Sequence, residues 1–303
     1  MNKAIILCLI GVFIISSYGA IAGEPMKLVM LGTGTPAANP ERAGPALAII
    51  KNDKSYLIDI GVGIVRRAAS AFKKHDISSL EAKNLNMAFI THLHTDHTIG
   101  LADLVFSPWV LGRTQPLKLF GPTGTKEMAF HIIQAYQADI DIRLNGLEPA
   151  SPEGYKVETT EFTRGGTILE TADIKVDAVP VIHGAWQNAY GFVFSDGDTK
   201  IVISGDAAPS PALIEAATGA DILVHEVFST EKFKDLPEEW QKYHAAFHTS
   251  THQLAEIAKQ AQPKLLVLYH QLFWGATDED LIREIRQAGY QGKVISARDL
   301  DLY

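Results

Sequence analysis

One stretch limits the fold more than any other. Residues 89–100, FITHLHTDHTIG, end an apolar run in three histidines and an aspartate within six positions. Residues two apart share a side in extended backbone and diverge in a helix. His92 and His94, which directly follow the strand-like NMAFIT, are therefore expected to converge on one point. Asp96 and His97 come as the chain turns into an amphipathic segment near Thr98, and they address a second point. For one such histidine an exposed polar turn is the ordinary reading. Four groups able to ligate a metal gain nothing from crowding at an apolar strand end unless a cation neutralises them.

The rest of the chain supplies strands in number. The runs KLVML, ALAII, SYLIDIG, NMAFIT, LKLFG, YKVETTEF, IKVDAVPVI, YGFVFSD, TKIVISGD, DILVHEV, KLLVLYH and KVIS are rich in Val, Ile and aromatics and are bounded by Gly, Pro, Asn or Asp. Between them Val65, Ala68, Ala69 and Phe72, and Leu254, Ile257, Ala258 and Ala261, recur at helical spacing. Hairpins mixed with strand–helix alternation imply sheets covered by helices, an α/β or α+β layered domain. No repeat or Pro/Gly/Ser linker divides the chain, so a single domain over 23–303 is expected. LGTGTPAANP has a Gly-x-Gly without a third glycine or a following helix, which reads as a tight turn and not as a dinucleotide loop.

Residues 1–22, MNKAIILCLIGVFIISSYGAIA, place Lys3 before an apolar run and end on Ala20 and Ala22. This is the pattern of a secretory signal cleaved after Ala22, and it predicts a periplasmic or secreted protein with no membrane span in the mature chain. Cleavage removes Cys8, the only cysteine, so any metal must bind through nitrogen and oxygen. It also shifts the formal charge from −8 to −9. That acidity, with no lysine or arginine cluster, argues against an extended nucleic-acid surface.

The H-x-H-x-D-H motif resembles that of the metallo-β-lactamase-fold hydrolases, and the resemblance covers essentially the whole mature chain. It implies an αββα sandwich, two mixed sheets with helices outside. Asp59 in YLIDIG matches the family's strand-ending aspartate, which orients a histidine ligand. His183 in VPVIHGAW, Asp206 in IVISGDAA and His270 in LLVLYH match its later donors. By resemblance His92, His94 and His183 would hold one metal, Asp96, His97 and His270 a second, and Asp206 would bridge them. Asp96 would also orient the nucleophile. Five imidazoles and two carboxylates suit two Zn²⁺ ions, with Mn²⁺ or Fe open alternatives.

Three features narrow the branch. A bridging Asp206 argues against the β-lactamases that place a cysteine there. ADILVHEVF and FHTSTHQLAEIAKQ resemble the ribonuclease Z and arylsulfatase-like branch, in which Glu226 and His248 would form a proton-donating pair for a poor leaving group. Only 23 positions separate His183 from Asp206, without the long P-x-K-x-R-N-like insert expected of a ribonuclease Z. The expectation is therefore an exported arylsulfatase-like hydrolase of a sulfate ester or phosphodiester, acting on a small-molecule ester and not on nucleic acid, with a homodimer suggested by the branch. The alternatives are a lactonase or other carbonyl hydrolase, a β-lactam being the weaker choice, and a non-catalytic metal-binding module.

Trp109, Trp186, Phe273 and Trp274 are read either as mouth residues that stack on an aryl group or as core. Residues 228–247 read as a cover. Arg113 or Arg143 could meet an anion, although a solvated arginine is the default. His225, His244, His252, His75 and His131 are expected to be structural or exposed.

Overall fold

A computed structural model describes residues 24–303, so the signal expected over 1–22 lies outside the described residues. Every strand-like run forms a strand. In the first sheet β1 (Lys27–Gly32), β2 (Ala46–Lys51), β3 (Lys54–Ile58), β4 (Met87–Phe89), β5 (Leu117–Pro122) and β6 (Val157–Phe162) lie side by side in that order. β1, β2 and β3 pair antiparallel, and β3 through β6 pair parallel.

The second sheet contains β7 (Gly166–Glu170), β8 (Lys175–Pro180), β9 (Tyr190–Ser195), β10 (Lys200–Ile203), β11 (Ile222–Phe228), β12 (Leu265–Leu272) and β13 (Val294–Ser296), in the order 13-12-11-10-9-8-7. β10 through β13 are parallel and β7 through β10 antiparallel. Both sheets are mixed, as the αββα expectation requires. β7 alone escaped the sequence reading: it is an edge strand with only Ile168 and Leu169 partly buried, too little apolar surface to mark a strand.

The sheets face each other across a core in which Phe89 stacks on Phe120 at 4.8 Å and meets Phe192 and Phe194 edge-on from the opposite sheet. Outside the first sheet lie α1 (Ile64–His75), α3 (Leu101–Val110), α4 (Thr125–Ala135) and α5 (Gln137–Asn145), and the single turn α2 (Thr95–Thr98) comes between β4 and α3. With the second sheet go α6 (Pro211–Ala217), α7 (Thr230–Phe233), α8 (Glu238–Phe247), α9 (Thr251–Ala261) and α10 (Asp278–Gln287). α9 buries Leu254, Ile257, Ala258 and Ala261, the spacing read from sequence, and starts with a Ser250–Gln253 capping box. α1 buries Ile64, Val65, Ala68 and Ala71, so its stripe is rotated slightly from the expected one and leaves Ala69 and Phe72 half-buried. Among the described residues no helix is long and apolar enough to cross a membrane.

The loops that follow β3, β4 and β8, together with the ends of β10, β11 and β12, meet at one place, and there the candidate residues gather.

Candidate metal centre

Local backbone aims each donor. After β4 the chain stays extended through His92 and His94, then closes into the single turn of α2 carrying Asp96 and His97. The turn is tied to the end of β3 by Ile60 N–H donating to His97 O at 2.7 Å and Gly100 N–H to Ile60 O at 2.9 Å. Asp59 itself adopts φ 58°, in the left-handed region that aspartate tolerates. Its carboxylate accepts from Thr91 N–H (2.9 Å), Thr91 Oγ1 (2.9 Å) and His97 Nδ1 (2.7 Å), which leaves His97 Nε2 pointing into the site. In the same way Thr91 Oγ1 lies 3.0 Å from His92 Nδ1, and His183 Nδ1 donates to Phe247 O at 2.8 Å. His270 is the extra residue of a β-bulge: β12 pairs Tyr269 with Glu226 and Gln271 with Val227, skipping His270, whose φ is 44°. The bulge re-aims its imidazole toward the site.

The seven donors fall into two groups around Asp206. His94 Nδ1 lies 3.0 Å from His92 Nε2 and 3.1 Å from His183 Nε2. With Asp206, these three offer ligand atoms all within 4.8 Å of one another. Asp96, His97 and His270 form the second group within the same limit, with His270 Nε2 at 3.2 Å and His97 Nε2 at 3.5 Å from Asp96 Oδ2. Asp206 Oδ2 faces both, at 3.9 Å from His92 Nε2, 3.3 Å from His97 Nε2 and 3.5 Å from His270 Nε2.

These residues fit a metal. Buried His97 Nε2 and Asp206 Oδ1 have no hydrogen-bond partner among the described residues. Three imidazole nitrogens meet around His94 Nδ1 where one proton at most can be shared, so lone pairs point at one another, an arrangement a cation relieves. A tetrahedral shell with metal–nitrogen bonds of about 2.0–2.1 Å puts neighbouring donors roughly 3.3 Å apart, close to these spacings. The chain carries a metal cofactor site of nitrogen and oxygen donors.

Electrostatics follow burial and partners. Burial and the neighbouring His97 push His92 well below its ordinary pKa. Burial opposes a proton on His97 too, yet Asp206 and Asp59 outweigh it and hold His97 well above its ordinary pKa. Burial likewise opposes charge on Asp206, but His270 and His97 keep its carboxyl well below the usual range.

Beside this centre stand Glu226 and His248, which the branch resemblance places together. Glu226 Oε1 accepts from Thr249 N–H at 2.9 Å and Ala207 N–H at 3.3 Å, and lies 3.4 Å from His248 Nδ1. His248 Nδ1 is also 4.0 Å from Asp206 Oδ2, so His248 borders the donor cluster as well as Glu226.

The expectation for Arg113 needs correcting, and readings left open at other positions are resolved. Arg113 is neither solvated nor an anion binder: it is 1% exposed and donates to the carbonyls of Leu85, Leu104, Val105 and Gly154 at 2.7–3.1 Å. Arg143 is taken by Asp139 and Glu148. Trp109 is core, its indole N–H bonded to Ser151 O. Trp186 instead reaches the centre, donating to His94 Nε2 at 2.7 Å. His244, expected to be structural or exposed, is buried and lines the pocket over the centre. Arg42, which sequence reasoning missed, lines that pocket as well. Nothing local in NPERAG marks it, because its partners are far away in the chain.

The family model described as anti-Pycsar protein Apyc1 matches residues 26–274. A curated relative, ribonuclease Z of Mycobacterium bovis (strain BCG / Pasteur 1173P2), is 28% identical over 280 residues, covering 91% of this chain and 96% of its own. Among solved structures, the metallo-β-lactamase-fold protein YhfI from Bacillus subtilis superposes with a TM-score of 0.70 at 19% identity, over 92% of this chain and 99% of that one. Human tRNase Z, short form, superposes with a TM-score of 0.64 at 21% identity, over 91% and 98%.

These findings overturn the expectation of an exported arylsulfatase-like enzyme and, with it, the small-molecule ester and the exclusion of nucleic acid. A protein named ribonuclease Z matches nearly end to end. With 96% of that relative inside the match, the short His183–Asp206 connection is no mark against it. Net acidity misled for a related reason: average charge says nothing about a local site whose own cations are metal ions.

Proposed function

The chain belongs to the anti-Pycsar protein Apyc1 family and to the ribonuclease Z branch of the metallo-β-lactamase-fold, metal-dependent hydrolases acting on ester bonds, and from that premise we propose that its target is a phosphodiester of RNA or of a nucleotide. The observation that carries the reading is the placement of the His248–Glu226 pair against Asp206, the carboxylate both donor groups share. An alkoxide leaving phosphorus needs a proton, and a proton donor beside the reacting centre supplies it. The ribonuclease Z name of the end-to-end relative supports the same bond.

His92, His94 and His183 would hold one ion and Asp96, His97 and His270 the other, with Asp206 facing both; the donor set favours zinc, two per chain. When bound, such ions supply Lewis acidity at a phosphoryl oxygen and make water nucleophilic near neutral pH. Asp59, accepting from His97 Nδ1, would turn Nε2 toward the ion, and Phe247 O would do the same for His183. Burial, reinforced by Asp206, holds the Glu226 carboxyl well above the usual range, and burial holds His248 down to about 4. Glu226 Oε1 lies 3.4 Å from His248 Nδ1, which gives the pair a path for one proton. The leaving oxygen takes its proton from His248 Nε2 while Glu226 resupplies Nδ1. Asp96, at the pocket floor, orients the attacking group.

The test is metal content per chain, followed by turnover of bis(4-nitrophenyl) phosphate, a diribonucleotide and 4-nitrophenyl sulfate before and after chelation. Two ions with chelator-sensitive cleavage of the phosphodiesters is the expected result; cleavage of the sulfate alone sinks the proposal. We propose separately that residues 1–22 direct export, on the leader-like run of the sequence. The mature chain should then begin at Gly23 in an extracytoplasmic fraction, and an intact Met1 confined to the cytoplasm refutes it.

A further inference from the structure

We propose that Glu284 of α10 is a positioning residue for His248: its buried carboxylate clasps both ends of the segment 229–251 and so fixes where the proton donor stands. The inference rests on the phosphodiester reading, in which His248 protonates the leaving oxygen.

Glu284 is out of place by composition. α10 buries Leu281, Glu284 and Ile285 along one face, the i, i+3, i+4 stripe of a helix packed on its neighbours. A carboxylate that is 0% exposed in such a stripe is unfavourable unless charge or hydrogen bonds compensate it. The ion pairs that α10 forms among the described residues engage Asp278, Asp280 and Arg283. Glu284 has three hydrogen-bond donors instead. Oε1 accepts from Ser229 Oγ at 2.6 Å, and Oε2 accepts from Thr230 N–H at 2.7 Å and from Thr251 Oγ1 at 2.5 Å. Thr251 Oγ1 lies 2.7 Å from Thr230 Oγ1 as well. A buried network whose members are satisfied in this way is rigid.

The place of those donors gives the network its use. Ser229 and Thr230 follow β11 and open the excursion through α7 and α8, and Thr251 begins α9, where the chain has returned. One carboxylate thus meets both feet of the excursion, although Thr230 and Thr251 are 21 positions apart. His248 lies at the base of the returning foot, on extended backbone with φ −132° and ψ 169°. Its N–H donates to His244 O at 2.9 Å and closes α8. Just beyond it Thr249 N–H donates to Glu226 Oε1 at 2.9 Å, and Phe228 N–H donates to Thr249 O at 2.9 Å, so the run toward Thr251 lies alongside the end of β11. Glu284 itself does not line the pocket; it acts through Ser229, Thr230 and Thr251. Opening the clasp lets the feet part and carries His248 with one of them. A shift of about 1 Å at a reacting group is enough to slow a reaction roughly 100-fold.

The test compares three metal-loaded variants. Glu284→Met keeps the bulk and removes the acceptors, Glu284→Gln keeps an acceptor, and Thr251→Val removes one hydroxyl while preserving the side chain's shape. Each is assayed on a diribonucleotide and on bis(4-nitrophenyl) phosphate, whose 4-nitrophenolate leaves without a proton, and amide hydrogen exchange over 248–251 is followed by mass spectrometry. Glu284→Met should slow the diribonucleotide about 10–100-fold and the nitrophenyl ester far less. Thr251→Val, which also covers the case in which Glu284→Met does not fold, should do the same in smaller measure. Glu284→Gln should recover most of the rate, because its oxygen still accepts from Thr230 N–H and Thr251 Oγ1 while its NH₂ donates to Ser229 Oγ. Exchange over 248–251 should rise as the rate falls, and Glu284→Met added to His248→Ala should slow the diribonucleotide no further than His248→Ala alone. Equal losses on both substrates, unchanged exchange over 248–251, or a double variant slowed by the product of the single losses overturns the proposal. If His248→Ala itself treats the two substrates alike, the proton-donor reading falls instead, and the exchange measurement still decides whether Glu284 holds that run.

Discussion

Asp59→Asn tests the architecture of the site with one atom. In the native protein both carboxylate oxygens accept: Oδ1 from Thr91 N–H and Oγ1 at 2.9 Å, Oδ2 from His97 Nδ1 at 2.7 Å. An amide has one acceptor and one donor. With its oxygen toward Thr91, its NH₂ meets His97 Nδ1–H, and relief comes only if the ring moves its proton to Nε2, the atom that must be free to bind metal. With its oxygen toward His97, the NH₂ faces the buried Thr91 N–H, a donor without an acceptor that costs about 1–3 kcal/mol. Either route falls in the tenfold to hundredfold loss of metal affinity found when a ligand's supporting carboxylate is removed, about 1.4–2.7 kcal/mol. Asparagine, like aspartate, tolerates the φ of 58° at this position, whereas alanine would add roughly 1–2 kcal/mol of backbone strain and blur the result. The assay is metal affinity by chelator competition, alongside urea unfolding of the chelated proteins. Native metal affinity in Asp59→Asn, or a deficit wholly explained by a less stable chelated state, would refute the reasoning.

Replacing His248 by alanine, or Glu226 by glutamine, should slow hydrolysis of a diribonucleotide about 100-fold or more while affecting bis(4-nitrophenyl) phosphate far less, because 4-nitrophenolate leaves without a proton; equal losses on both substrates would discard the proton-donor role. Arg113→Met strips buried carbonyls of a charged donor. At roughly 1.5–3 kcal/mol for each such bond it should lower stability by about 3 kcal/mol or more in urea titrations, and a loss under about 1 kcal/mol would contradict the structural role. His225 is fully buried and burial brings its pKa down to about 4, against the upward pull of its bond to Glu226 O. The unfolded chain takes up a proton near pH 6.5 that the folded chain refuses until about 4, so stability is complete above that window and falls as pH drops through it, by at most about 3 kcal/mol. Urea midpoints of metal-loaded protein at pH 7 and pH 5 should differ less in His225→Asn; an unchanged difference counts against the assignment.

Most of the candidate donors lie at or just beyond a strand end, with Asp96 and His97 on the turn of α2, and strand ends are marked by local composition. The spacing of His92 and His94 alone implied convergence, whereas Asp59, His183, Asp206 and His270 took their roles from the resemblance to the metallo-β-lactamase-fold hydrolases. The pocket wall was not legible. Arg42 reads as a surface arginine until Asp278, 236 positions away, is seen to bind it. Arg113 reads as solvated because carbonyl acceptors leave no trace in side-chain identity. His270 could be named from its place at the end of LLVLYH, but the bulge that turns it inward depends on β11, and register between strands is a property of the pair. The substrate class was misjudged from the short His183–Asp206 connection, which includes a plain β9–β10 hairpin, because the length of chain between two donors says nothing about the bond cleaved beside them.

The donor cluster is also a fastener. His92, His94, Asp96 and His97 issue from the first sheet, and His183, Asp206 and His270 from the second, so a bound ion would rivet together two halves of the chain that also meet through apolar packing and through ion pairs such as Arg42–Asp278 and Lys51–Asp196. Binding only to the docked arrangement, metal at a thousand times its dissociation constant would add about 4 kcal/mol to the folded state. Sequestering the metal would then do more than silence turnover. It would loosen the seam between the sheets and shorten the lifetime of the protein, so that metal supply sets how much enzyme persists as well as how fast each molecule works.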